Sequence, residues 1–133
     1  LYIGSAQEAQ DINWLNRRNI RYIINTAIEV PNYFPRRKEY LNLSIIDIPQ
    51  EDILSGAEKA YRYYIKKRHQ PGNFLIHCHM GISRSSSVVI YILMKLFRLN
   101  FRQARDYLRK IHPKTSPNIG FTSQLQKITM RYL

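Results

Sequence analysis

The only cysteine of the chain lies in the segment His77–Ser85, which reads HCHMGISRS. The segment follows a short apolar strand candidate, Phe74–Ile76, and precedes an apolar helix candidate. A thiol has a reference pKa of about 8.5, but amides at a helix N-terminus and a nearby cation favour its thiolate form. Arg84, six positions after Cys78, supplies the cation, and a helix beginning near Arg84 supplies the amides. The segment therefore predicts a nucleophilic sulfur at the floor of a site for a tetrahedral dianion.

Five residues separate the cysteine from the arginine, and we expect them to form a loop whose N–H groups turn inward. They are His79, Met80, Gly81, Ile82 and Ser83. Gly81 tolerates a positive φ and a close ligand approach. The planar fork of Arg84 suits two phosphate oxygens. His79 is interpreted as a solvent-facing loop residue or as one that tunes phosphate affinity.

Other interpretations of the cysteine explain less of the segment. A lone cysteine is often a small buried apolar residue, but that leaves Arg84 and Gly81 without a reason. Two histidines around a cysteine also suggest zinc, yet no second cysteine or matching pair of ligands stands elsewhere. We therefore expect no metal and no cofactor. Ser86 and Ser87 are interpreted as residues that pack the helix.

Four apolar segments predict the strands that position this loop. They are Leu1–Ile3, Ile20–Thr26, Tyr40–Ile46 and Phe74–Ile76. The third alternates apolar and polar residues, as expected for a strand with one buried face.

Helix signals lie between and after the strands. A capping box at Ser5 predicts a helix to about Leu15, and another at Ser55 predicts a second helix. The last three helices are expected over Val88–Phe97, from Asn100 to about Ile111, and from Asn118 to Tyr132. Strands alternating with helices predict an α/β fold with a central, mostly parallel, twisted sheet flanked by helices on both faces. Ligands of such sheets lie beyond the carboxyl ends of the strands, where Cys78 and Asp47 fall.

The composition fits one domain over residues 1–133, with 44% hydrophobic residues and one cysteine. A single cysteine permits no internal disulfide, which suits a reducing compartment, so we expect a cytoplasmic or nuclear location. We find no signal peptide and no apolar run long enough to span a membrane.

The formal net charge of +12 suggests an acidic partner, such as nucleic acid, an anionic membrane face or phosphorylated substrates. The cations form short clusters, and each alone fits a solvated helix end or loop: Arg17–Arg18, Arg36–Lys38, Lys66–Arg68 and Arg109–Lys110. Nucleic acid therefore stays open as a partner.

The segment from His77 resembles the signature of the protein tyrosine phosphatase superfamily, which is His-Cys, five residues, Arg, then Ser or Thr. The likeness narrows to the dual-specificity phosphatases through three stretches: Leu1–Ser5, Gly81–Ser85 and Ser116–Phe121. Together they make the resemblance span nearly the whole chain. It implies a phosphatase-like fold with a shallow active-site pocket.

The resemblance implies roles for the matching positions. Cys78 resembles the nucleophile that accepts the phosphoryl group. Arg84 and the amides of residues 79–84 resemble the phosphate-binding shell. Ser85 resembles the hydroxyl that assists breakdown of the intermediate. His77 resembles the residue that orders the loop and helps to lower the pKa of the thiol.

The family also uses an aspartate about thirty residues before the cysteine to protonate the leaving oxygen. Asp47 lies 78 − 47 = 31 positions upstream of Cys78, directly after a predicted strand. Glu51 and Asp52 are rivals, but they lie nearer the next helix start, where acids are ordinary. Asp47 is therefore the expected acid, and it would then serve as base for the hydrolytic water.

The resemblance implies a cysteine-dependent phosphatase that acts on phosphotyrosine and phosphoserine or phosphothreonine in proteins, through a thiophosphoryl-enzyme intermediate. Mitogen-activated protein kinases are its expected targets. One alternative is a scaffold that binds phosphate without turnover. Another is action on RNA 5′-phosphates or phosphoinositides, although the loop lacks the lysines that relatives acting on phosphoinositides often carry.

Overall fold

Four parallel strands form the central sheet of the computed structural model, which describes residues 1–128. They are β1 (Tyr2–Gly4), β2 (Ile20–Ala27), β3 (Glu39–Ile45) and β4 (Asn73–His77), in the order β1-β4-β2-β3. Strand β4 lies inside the sheet because it pairs with both β1 and β2, although both precede it by many residues in the sequence. The α/β fold expected from the alternating pattern is confirmed.

Six helices connect and cover the strands: α1 (Ala6–Ala9), α2 (Ile12–Arg17), α3 (Ile53–Lys67), α4 (Arg84–Phe97), α5 (Phe101–Ile111) and α6 (Ile119–Gln126). Within residues 1–128, none of them is long and apolar enough to cross a bilayer.

The core has two layers because successive side chains of a strand point to opposite faces. Tyr22 and Ile24 of β2 pack with the cluster built from α3 to α6. Ile23 between them packs on the other face, against Ala9 and Leu15 from α1 and α2. All three strand side chains are fully buried, and each such burial contributes about 2 kcal/mol.

The carboxyl ends of three strands meet at one edge of the sheet. Asn25 of β2 pairs with His77 of β4, and Ala27 of β2 pairs with Ile45 of β3. Because the strands are parallel, the loops that follow them share this edge. The loops after β2, β3 and β4 therefore converge, and the candidate site lies where they meet.

Three predicted helix boundaries differ from the structure. The helix expected from Ser5 to Leu15 is two short helices, because Asp11 accepts from the Trp14 N–H at 3.1 Å and caps a second one. The helix predicted from Ser55 begins earlier, because Asp52 caps it through the Ser55 N–H at 3.1 Å.

The last helix, predicted to run from Asn118 to Tyr132, is capped by Asn118 but ends at Gln126. Positions 129–132 of that prediction lie outside the described residues.

Candidate active site

The segment from Cys78 to Arg84, called here the Cys–Arg loop, joins β4 to α4. Cys78 is buried, with 2% of its surface exposed. Gly81 takes a φ of +73°, and a Cβ there would lie 3.0 Å from the carbonyl oxygen of Gly4. Only glycine suits that conformation and spacing, so the Cys–Arg loop packs tightly against the end of β1.

Three carbonyl groups of the Cys–Arg loop are hydrogen-bonded to the surrounding protein. Their donors lie outside the loop: His79 O accepts from Ala6 N–H at 2.9 Å, Gly81 O from His112 Nε2 at 2.6 Å, and Ile82 O from Ser116 N–H at 2.9 Å. These carbonyls bind partners outside the loop, and the Gly81 N–H points inward to Sγ at 3.1 Å. Such inward amides form a concave anion-binding site.

The sulfur of Cys78 contacts two hydrogen-bonding groups. The Gly81 N–H donates to Sγ at 3.1 Å, and the Ser85 hydroxyl oxygen lies 3.2 Å from Sγ. Ser85 is fully buried in the first turn of α4, so the positive end of that helix also faces the sulfur. Ser87 is engaged elsewhere, since its hydroxyl donates to the Ser83 carbonyl at 2.6 Å.

Arg84 is held by two strand ends. Its Nη1 and Nη2 donate to the two carboxylate oxygens of Glu29 at 2.6 and 2.5 Å, and Nη1 also donates to the Ile45 carbonyl at 3.0 Å. Its Nε is buried and has no hydrogen-bond partner within residues 1–128. The bidentate pair fixes the plane of the guanidinium and leaves Nε for a ligand.

The charges of this pair stabilise each other. The Arg84 guanidinium lowers the pKa of Glu29 to about 2, mainly through their hydrogen bonds. The same contact raises the pKa of Arg84 above its ordinary value. Both groups are therefore ionised throughout the neutral range.

His77, at the end of β4, is fully buried. Burial lowers the pKa of its imidazole from the ordinary value of 6.5, so the ring is neutral at neutral pH. Its Nδ1 lies 3.2 Å from the Cys78 carbonyl, and the His77 carbonyl accepts from the Thr26 hydroxyl at 2.8 Å. His77 therefore contributes hydrogen bonds beside the cysteine and no positive charge.

Residues 46–52, called here the Asp47 loop, form the opposite wall. The Asp47 side chain is exposed and accepts from Asn118 Nδ2 at 2.9 Å. Its rival Asp52 is occupied in capping α3. The cleft between the loops encloses about 290 Å³ and is lined by Asp47, Cys78, His79, Met80, Ile82, Ser83 and Arg84.

Helix α6 holds the Asp47 loop in place. The Gln124 side chain donates to the Glu51 carbonyl at 2.8 Å and accepts from the Ile53 N–H at 3.0 Å. Gly120 lies so close to Pro49 that a Cβ on Gly120 would be 1.9 Å from the Pro49 carbonyl oxygen. The loop that carries Asp47 is thus fixed by contacts with a helix far along the chain.

The structure brings all of the expected site residues to this cleft or its supports and adds three. Glu29, His112 and Gly120 bind Arg84, the Cys–Arg loop and the Asp47 loop respectively. Glu29 could have been found from its position just after β2, at the sheet edge where ligands bind. His112 and Gly120 carry no comparable signal, because their partners are distant in sequence. Within the described residues, no group of three or more His, Cys, Asp or Glu side chains is placed to hold a metal.

Most clustered cations lie at the opposite edge of the sheet, where the strands begin. This basic edge comprises Arg17, Arg18, Arg21, Arg36, Arg37, Lys38, Lys66, Lys67 and Arg68. They precede β2 and β3, lie at the start of β2, or end α3. Glu39 at that edge is engaged by Lys67 at 3.2 Å and by the Tyr63 hydroxyl at 2.6 Å. Nine of the 21 lysines and arginines therefore lie away from the cleft, whereas Lys114 shares a pocket with His79 and Met80 of the Cys–Arg loop.

A parallel sheet that leads into a buried cysteine, a tightly held five-residue loop and a buried arginine defines the class of the cysteine-dependent phosphatases. Within that class the chain belongs to the dual specificity phosphatase family, since the family model described as "Dual specificity phosphatase, catalytic domain" matches residues 1–131.

Comparison with known proteins supports the same assignment. The chain is 33% identical over 126 residues to Protein phosphatase Slingshot of Drosophila melanogaster, covering 95% of this chain and 12% of that protein. It is 35% identical over 127 residues to the human Protein phosphatase Slingshot homolog 2, covering 96% of this chain and 9% of that protein. The chain thus spans a small part of the length of these curated relatives.

Solved structures share the fold. The crystal structure of human DUSP28 superposes with a TM-score of 0.88 at 28% identity, covering 95% of this chain and 88% of that chain. A mouse structure complexed with zinc tungstate gives a TM-score of 0.87 at 29% identity, covering 94% of this chain and 79% of that chain. The fold expected from the resemblance is confirmed.

Proposed function

We propose that this domain hydrolyses phosphate esters of tyrosine and of serine or threonine in proteins, with Cys78 as nucleophile. The observation that carries the proposal is the surroundings of the sulfur. The Gly81 N–H and the Ser85 hydroxyl both lie within hydrogen-bond reach of Sγ, at the floor of an open cleft. Both groups can donate hydrogen bonds to the sulfur that acts as the nucleophile.

The phosphate group would bind in the concave face of the Cys–Arg loop. The loop N–H groups and the free Nε of Arg84 are the donors, and Glu29 holds the guanidinium in position from behind. A mouse relative was solved in complex with zinc tungstate, and tungstate is a tetrahedral oxyanion like phosphate. Donors fixed before the reaction stabilise the charge that develops on the equatorial oxygens.

The reaction proceeds in two displacements. In the first, Sγ attacks phosphorus, the bond from phosphorus to the ester oxygen breaks, and Asp47 gives that oxygen its proton. In the second, water attacks phosphorus, Asp47 accepts a proton from the water, and the phosphorus–sulfur bond breaks. The Ser85 hydroxyl is placed to donate to the departing sulfur, since its oxygen lies 3.2 Å from Sγ. Enzyme and proton balance are restored at the end of the cycle.

The shape of the cleft supports action on both kinds of phosphoresidue. Its walls consist of the Cys–Arg loop and the Asp47 loop, and the Asp47 side chain is exposed. The family resemblance implies a shallow cleft, in which the short side chains of phosphoserine and phosphothreonine reach the sulfur as well as phosphotyrosine.

Turnover of a small aryl phosphate and of phosphotyrosine and phosphoserine peptides tests the proposal. We expect Cys78→Ser to abolish all turnover and Asp47→Asn to slow the phosphopeptides more than an aryl phosphate with a good leaving group. Retained turnover in Cys78→Ser would remove Cys78 from the mechanism. Tight phosphopeptide binding without turnover in the parent chain would favour the scaffold alternative.

The finer identity of the substrate stays a prediction. The resemblance makes mitogen-activated protein kinases an expected target. RNA phosphates remain an alternative substrate, since Lys114 shares a pocket with His79 and Met80 of the Cys–Arg loop. A cytoplasmic or nuclear location is proposed from the single cysteine alone.

A further inference from the structure

Five exposed apolar side chains line the cleft or lie next in sequence to residues that line it or bind its aspartate or arginine, and we call them the apolar rim. Their exposed fractions are Ile28 57%, Ile46 44%, Ile48 41%, Met80 56% and Ile119 79%. Ten large apolar side chains within residues 1–128 are at least 37% exposed, and half of them belong to the rim. Grouped exposed apolar side chains mark a binding surface, whereas scattered ones do not.

Backbone and side-chain contacts tie the apolar rim to the catalytic groups. Ile46 and Ile48 flank Asp47, and Ile119 follows Asn118, whose amide donates to Asp47 at 2.9 Å. On the other side, the Ile28 N–H donates to the Ile45 carbonyl at 3.2 Å. That same carbonyl accepts from Arg84, so Ile28 lies next to the arginine that faces the phosphate.

Met80 completes the rim from the Cys–Arg loop itself and lines the cleft. The rim is therefore continuous with the place where the phosphoryl group reacts. A residue next to the phosphoresidue of a bound protein would rest on it.

The charged groups on the isoleucine side of the rim are mostly acidic. Glu51 and Asp52 follow Asp47 after the end of β3, and Glu29 follows β2 but is paired with Arg84. Lys114 lies at the other end of the rim, where it lines a pocket with His79 and Met80. An acidic residue of the substrate would be repelled beside the isoleucines, whereas an aliphatic one would be buried there.

We propose that the apolar rim selects phosphoproteins whose residues next to the phosphoresidue are aliphatic. The inference rests on the proposed protein phosphatase activity and deepens it, because it names the sequence surroundings that the cleft accepts. The rim supplies specificity, and the Cys–Arg loop supplies the binding of the phosphate itself.

Synthetic phosphoserine peptides test the substrate side of the proposal. Peptides that differ only in the two residues next to phosphoserine, with Leu, Ala, Glu or Lys in both places, are compared by kcat/KM. We expect the Leu peptide to exceed the Ala peptide by about tenfold and the Glu peptide by more, through burial of apolar surface. The Lys peptide tests whether the preference comes from attraction to the acidic residues beside the rim instead of from apolar contact.

Variants test the protein side. The double variant Ile48→Ser/Ile119→Ser should reduce the preference for Leu over Ala to less than about threefold. Ile111→Ser is the matched control, because Ile111 is 67% exposed in a groove on another face with Leu1 and Tyr2. The control should keep the full preference. Turnover of the small aryl phosphate gives the overall rate of each variant, and that rate cancels in the ratio of the Leu and Ala peptides.

Three results overturn the inference while leaving the proposed function intact. These are equal turnover of the Leu and Ala peptides, a Lys peptide better than the Leu peptide, and a preference that persists in the rim variant. The proposed function itself fails if none of the peptides is hydrolysed in a reaction that requires Cys78. Peptide turnover by the parent enzyme therefore shows whether the proposed function or only the inference about the rim has failed.

Discussion

Gly120 sets the position of the Asp47 loop, and its replacement by alanine makes a direct test of that role. The Cβ of an alanine at position 120 would lie 1.9 Å from the Pro49 carbonyl oxygen and 2.5 Å from the Pro49 carbonyl carbon. Both atoms are backbone, so no side-chain rotation relieves the overlap. Either α6 or the Asp47 loop must move.

The size of the movement follows from the contact. The distance must grow from 1.9 Å to at least 3.0 Å, so the two segments separate by about 1.1 Å. A displacement of about 1 Å in a catalytic group costs on the order of 100-fold in rate. We therefore expect Gly120→Ala to lower kcat for phosphoserine peptides about 100-fold, because their alkoxide leaving group needs the proton of Asp47.

An aryl phosphate with a good leaving group provides the comparison, since it needs little protonation and should lose about tenfold or less. Inorganic phosphate should inhibit the variant and the parent to a similar degree if the Asp47 loop is the segment that moves. Weaker inhibition would show that α6 has moved instead, because the Asn118 N–H at its start donates to Ser83 of the Cys–Arg loop at 2.9 Å. Gly56→Ala is the matched control. Gly56 also lies within a helix, but a Cβ there meets only the flexible end of the Ile45 side chain, at 3.0 Å.

A double variant makes the test decisive. If Gly120 acts by placing Asp47, adding Gly120→Ala to Asp47→Asn should cause little further loss. Full additivity of the two losses would refute the reasoning. So would an equal loss for good and poor leaving groups in a variant whose thermal midpoint matches that of the parent.

Three further predictions concern single groups. Because Arg84 lowers the pKa of Glu29 from 4.5 to about 2, their pair should stabilise the fold fully above pH 4.5 and lose that contribution as pH falls from 4.5 towards 2. Urea unfolding at several pH values in that window should show that the free energy of unfolding falls more steeply with decreasing pH in the parent than in Glu29→Gln. The same pH dependence in both proteins would contradict the role of the pair. Because burial lowers the pKa of His77 below 6.5, the unfolded chain takes up the proton first, so stability should fall as pH drops below 6.5, and less so in His77→Gln. Cys78, the only cysteine, cannot form an intrachain disulfide after mild peroxide, so a thiol should restore activity from a sulfenic acid or sulfenamide, as intact mass and an activity assay would check.

Local signals in the sequence predicted the elements that build the cleft. The strand before Cys78, the loop of five residues and the helix at Arg84 were evident from apolar runs and residue types within about twenty positions. The capping box at Asn100 was also correct, since the Gln103 N–H donates to Asn100 at 2.8 Å and the Asn100 N–H to Gln103 at 2.9 Å. Such signals work because both partners lie in one helical turn.

The sequence could indicate the position of Glu29, just after β2, but it could not indicate which residues the supports of the site would contact. Glu29 and Arg84 are 55 positions apart, and Asn118 and Asp47 are 71 positions apart. Nothing in the local pattern pairs these residues, because their contact depends on which strands neighbour each other in the sheet. The start of α3 was predicted at Ser55 instead of Asp52 because two capping residues lie close together. Ser55 offered an equally good motif three residues after Asp52.

The nine cations of the basic edge concentrate positive charge at the end of the sheet where the strands begin, away from the cleft. Near any negatively charged surface the field would turn the molecule so that the basic edge faces that surface. The cleft would then open towards the solution. Dissolved phosphoproteins would meet the sulfur in that orientation, and phosphate groups within the surface itself would not.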